Sequence, residues 1–183
     1  PLIAAQAGGG WCLYKGKQSV AWRESISTFI MLTIGSSIAL VGQTYHIPGN
    51  LTQFLLVWMI LSIPLIYIFR AVLPCLLYLA GITGWSVSSQ FDGGHSLLFW
   101  VLYAAAIPHV WKTMRADRFS VSSSMLGWGL CLQAAWIGVT LERVMPGLWI
   151  VVYLGLFSTF YLAGAYWFDD APSGWQKPIQ LAG

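Results

Sequence analysis

Residues 51–69, LTQFLLVWMILSIPLIYIF, contain no Asp, Glu, Lys or Arg, and a single residue, Arg70, separates them from the equally charge-free stretch 71–91. A helix that crosses the hydrocarbon of a bilayer needs about 20 mostly apolar residues, and it satisfies its own backbone hydrogen bonds there. Both stretches meet that requirement. Four more charge-free runs extend the pattern, at 26–47 before this pair and at 95–111, 119–141 and 147–168 after it. None shows the ten-residue alternation of a membrane-spanning β-barrel, and the runs are too long and continuous for strands. The fold class is therefore all-α: a polytopic transmembrane bundle of about six helices.

Composition demands the same. Of 183 residues, 57% are hydrophobic and 8% charged, against about 25% charged in a soluble domain. No polar shell can be built from nine Lys plus Arg and six Asp plus Glu. A net charge of +3 without a basic cluster is no nucleic-acid footprint, so the expected partners are the lipid bilayer and other membrane subunits or further helices of the same chain. Cys12, Cys75 and Cys131 have no CxxC spacing and support neither a zinc site nor a disulfide framework.

The domain reading is a segment at 1–25, a six-helix transmembrane domain at 26–168 and a tail or loop at 169–183. Short turns at Pro48-Gly49-Asn50, Asp92-Gly93-Gly94 and Met145-Pro146-Gly147 make sequential helices antiparallel neighbours. Residues 1–14 read either as the end of another span or as a surface strap. The chain opens on Pro1 without a signal-peptide pattern, and its ends read as cuts through a longer protein. Short loops rich in Lys and Arg stay cytoplasmic. One side holds Lys15, Lys17, Arg23, Arg70, Lys112, Arg115, Arg118 and Lys177, the other only Arg143, which places both termini in the cytoplasm.

No span carries an Asp, Glu, Lys or Arg, the usual markers of ion pathways. No GxSxG, HExxH, Walker or GxGxxG motif occurs. The expectation is a non-enzyme, without catalytic residues, cofactor or metal. Three polar residues stand out as candidate ligand contacts: Gln43 and His46 at the outer end of the first span, and Gln133 inside the fifth. At the first two, the plain alternative is hydrogen bonding to neighbouring helices around a turn. His95 and His109 open and close the fourth span with no second ligand at i+3 or i+4, and read as interfacial histidines. Gln133, Ser62, Thr83, Ser86, Ser158 and Thr159 read as interhelical hydrogen bonders. Gly35 with Ala39, Gly81 with Gly84, Ala134 with Gly138, and Ala104-Ala105-Ala106 read as sites of close helix approach. Glu142 and Arg143 adjoin in sequence, so they point in different directions.

The run Trp22-Arg23-Glu24, then Ile34-Gly35, then Ala39-Leu40-Val41-Gly42-Gln43-Thr44-Tyr45-His46-Ile47-Pro48-Gly49-Asn50, with Trp58 and Pro64-Leu65 beyond, resembles the bacterial membrane proteins grouped as domain of unknown function 2157. Trp175-Gln176-Lys177-Pro178, with Leu181 and Gly183, is similar to the loop preceding a further helix in that family. The resemblance implies a polytopic inner-membrane protein of uncharacterised activity, and hands over no catalytic residues. Two functions follow as expectations: an accessory or scaffold component of a membrane complex, or a permease-like fragment that binds or transports a neutral or lipid-like small molecule.

Overall fold

A computed structural model describes residues 2–14, 19–46, 49–91, 97–116, 120–144, 147 and 149–168. These form seven helices: α1 (Leu2–Tyr14), α2 (Val20–Thr44), α3 (Leu51–Phe69), α4 (Val72–Phe91), α5 (Leu97–Ala116), α6 (Val121–Val144) and α7 (Trp149–Phe168). A helix therefore stands at each of the six charge-free runs, and no strand occurs among the described residues. Three of them, Val20–Thr44, Leu51–Phe69 and Val72–Gln90, are long and apolar enough to cross a membrane. The protein is a helical membrane protein.

Helix α2 starts at Val20, six residues before its charge-free run. Ser19 caps it, its side chain accepting from Trp22 N at 3.3 Å. Arg23 and Glu24 thus lie inside the helix, because a long charged side chain near a helix end can reach the interface while its backbone stays helical. Residues 2–14, read from sequence as either a span end or a strap, are helical and pack on α2.

The chain divides into two compact units, 1–109 and 110–183. In the first, α1 packs on α2, α2 on α3 and α4, and α3 on α4. Two glycines allow the close approaches. A Cβ at Gly35 would lie 2.6 Å from Trp58 Cε2, and one at Gly81 would collide with the Met59 thioether. The Trp58 indole lies across α2 and donates from Nε1 to Met31 O at 2.8 Å. Beyond Gly84, by contrast, the nearest side-chain atom to a Cβ would be Leu55 Cδ1 at 3.7 Å, and Ala39 is exposed. Gly35 and Gly81 are the contacts of their pairs. In the second unit α6 packs on α7, and the side chains of Ala134 and Gly138 lie outside the described residues.

Most hydroxyls do not link helices as expected. Ser62 Oγ donates to Trp58 O and Thr159 Oγ1 to Leu156 O, each at 2.8 Å within its own helix. In an apolar setting the carbonyl one turn back is always within reach, so it captures the hydroxyl first. Among the described residues, Thr52 and Ser88 do join two helices, their hydroxyls 2.6 Å apart between α3 and α4.

Candidate functional site

Two groups of polar contacts in the first unit lie near the two ends of α2. Glu24 and Gln43 are 19 residues apart on that helix, about 28 Å along its axis at 1.5 Å per residue.

At the Glu24 end, α3 stops at Arg70, whose backbone is left-handed (φ 48°, ψ 41°) and whose N–H donates to Ile66 O. Helix α4 then begins almost at once. The first N–H groups of any helix lack intrahelical acceptors. Here Val72 N donates to Glu24 Oε1 and Leu73 N to Glu24 Oε2, both at 2.8 Å. The third position is Pro74, which has no N–H to satisfy. A carboxylate 48 residues away in sequence therefore caps α4, with its charge against the positive end of the helix dipole. Arg23 is beside it in sequence, and its buried Nε has no hydrogen-bond partner among the described residues.

His109 lies in the same neighbourhood. It is buried, hydrogen-bonds the backbone of Ala71 and is near enough to Glu24 and Arg70 to feel both charges. Its ring meets Tyr67 edge-on, with centroids 6.1 Å apart. The Tyr67 hydroxyl donates to Ala105 O, and the Tyr78 hydroxyl to Leu102 O at 2.8 Å. These bonds fasten α5 to α3 and α4. His109, read from sequence as an interfacial histidine, is buried between helices at this end of α2. Glu24 was not singled out for chemistry at all, and only the non-local pairing with α4 reveals its role.

The Gln43 end is built differently. Asn50, read from sequence as part of a turn, caps α3 locally, its Oδ1 accepting from Gln53 N at 2.8 Å. Between α2 and α3 lies an open cleft of about 700 Å³. Gln43, Asn50 and Gln53 supply its polar groups, and Ile38, Leu51 and Phe54 are among its apolar ones. Gln43, one of the candidate ligand contacts, lies in this lining. His46 does not join the lining; it is exposed, has φ 50° and donates its N–H to Gln43 O at 3.3 Å. Gln133 is buried in α6 and belongs to the second unit. His95 and the side chains of Glu142 and Arg143 lie outside the described residues.

Compared with known families, residues 1–75 match the model of a predicted membrane protein family (DUF2157). That match takes in the Trp-Arg-Glu and Gly-Gln-Thr-Tyr-His stretches and ends one residue after Pro74, so the similarity at residues 175–183 falls outside it. No curated protein and no solved structure matches the chain.

Proposed function

We propose, from the premise of a membrane-protein family shared over residues 1–75, that this chain is a non-enzymatic accessory or scaffold component of a complex in the bacterial inner membrane. The observation that carries the reading is the state of Glu24. It is the one carboxylate among the described side chains, and both its oxygens are held by α4 backbone N–H groups. Each oxygen accepts from a backbone donor of another helix, so this carboxylate ties two helices together. Tyr67, Tyr78 and Trp58 likewise direct their polar atoms at carbonyls of other helices. The eight-to-one distribution of Lys and Arg supports cytoplasmic termini.

The cleft favours a second reading, the binding of a neutral, lipid-like small molecule, since it pairs an apolar wall with uncharged amides. Native mass spectrometry of the chain released from membranes in mild detergent separates the two. The scaffold reading expects a defined hetero-complex that survives Gln43→Leu. A monomer carrying a small molecule, lost on Gln43→Leu with folding intact, would overturn it.

A further inference from the structure

We infer, resting on the second reading above, that the cleft beside Gln43 is the mouth of a groove for one acyl chain of a membrane lipid whose headgroup is uncharged and bears hydroxyls. A further open cavity of about 440 Å³ is lined by α1, α2 and α3, and it shares Ile38 and Val41 with the cleft. The two adjoin at those side chains and make one groove along α2 and α3. Helix α1 adds Leu2 and Gln6 to the inner cavity and nothing to the outer one.

The groove is as deep as one leaflet. On α2 it runs from Gln43 to Ile34, nine residues or about 14 Å, and on α3 from Leu51 to Leu61, ten residues or about 15 Å. The hydrocarbon of a bilayer is about 30 Å thick, so a chain entering at the helix ends meets groove along its length. Both helices are long and apolar enough to span a membrane, which sets the groove parallel to the surrounding lipid chains. Chemistry changes along this axis. Gln43, Asn50 and Gln53 stand at the helix ends, at headgroup depth, and their amides both donate and accept. Further in, Val57 and Leu61 are apolar, and the Ser37 hydroxyl is turned to Thr33 O at 2.8 Å within its own helix. Lipid tails are as apolar as such a wall, so the chain is accommodated and the amides do the selecting. Among the described residues neither cavity is lined by a charged side chain, and a charged headgroup would lose water there without a countercharge.

The test is native mass spectrometry of the whole chain in mild detergent, titrated with monolauroylglycerol, with laurate and phosphatidylcholine as comparisons. One monolauroylglycerol per chain is expected to survive release, and neither comparison lipid is. Gln43→Leu removes an amide from the mouth and should weaken retention about fivefold, the equivalent of one hydrogen bond. Leu61→Trp obstructs the inner cavity alone and should weaken it at least as much, while binding of the short monobutyrylglycerol at the mouth is unaffected. Val101→Trp, exposed on α5, should change nothing. Leu61 and Val41 are 51% and 50% exposed; should Leu61→Trp fail to fold, Val41→Trp obstructs the groove where the cavities meet. Monolauroylglycerol retained in Leu61→Trp but lost in Gln43→Leu would overturn the groove and leave the cleft reading standing. Retention indifferent to both variants would overturn the two together. Equal retention of laurate or phosphatidylcholine, or an equal loss in Val101→Trp, would overturn the stated occupant. A dimer in place of the lipid adduct, lost in Leu61→Trp, would put a second copy of the chain there instead.

Discussion

The two ends of α2 solve the same problem, how to terminate helices at a membrane surface, by opposite means. At the Gln43 end each helix closes itself: Tyr45 N returns to Val41 O, and Asn50 caps α3 from the adjacent position. At the Glu24 end the cap is borrowed from another helix. Local caps leave the helices free to separate, and there a cleft opens between α2 and α3. The borrowed cap draws α2, the α3–α4 turn and His109 together. Which residue supplies a cap thus decides whether a helix end is a joint or an opening.

Mutations can break the comparison, most forcefully at the joint. Glu24→Ala leaves two N–H groups of α4 without acceptors and should destabilise the chain by about 2–3 kcal/mol, allowing for partial exposure. Glu24→Gln, which keeps an acceptor, should recover part of that. Unfolding titrations in mixed micelles measure both. Gly35→Ala drives a methyl into an indole held by its bond to Met31, at a cost of about 1–3 kcal/mol. Gly81→Ala meets only the flexible Met59 thioether and should cost less; the same titration ranks the pair. Trp58→Phe removes the Met31 bond, worth about 1 kcal/mol, together with part of the indole's packing on Gly35. Gln43→Leu, at an exposed position in the open cleft, should shift stability by no more than about 0.5 kcal/mol. A larger loss there would show that the cleft end is also a joint.

What could be read in advance follows from the range of each interaction. The exclusion of charge from hydrocarbon acts on whole segments, so the runs at 26–47, 51–69 and 71–91 stand out and each holds a helix. The Asn50 cap was legible because its partner, Gln53, is three residues away. Gly35 and Gly81 were legible as small residues, though their partners Trp58 and Met59 were not. The role of Glu24 is not legible, because its partners on α4 stand 48 and 49 residues away, a distance that no spacing rule reaches. His109 escaped for the same reason, since Ala71 and Tyr67 come from a different helix pair. Gln43 and His46 are close in sequence, yet only Gln43 lies in the cleft lining, and His46 follows the end of α2 with φ 50°.

The borrowed cap is most directly tested by hydrogen exchange at the Val72 and Leu73 amides, comparing the unaltered chain with Glu24→Ala. First-turn amides of a helix exchange quickly unless an acceptor holds them. The prediction is slow exchange at both amides in the unaltered chain, and fast exchange at these two in Glu24→Ala while the amides of α3 stay protected. Fast exchange at Val72 and Leu73 with Glu24 in place would contradict the cap, and with it the reading of this carboxylate as a tie between helices.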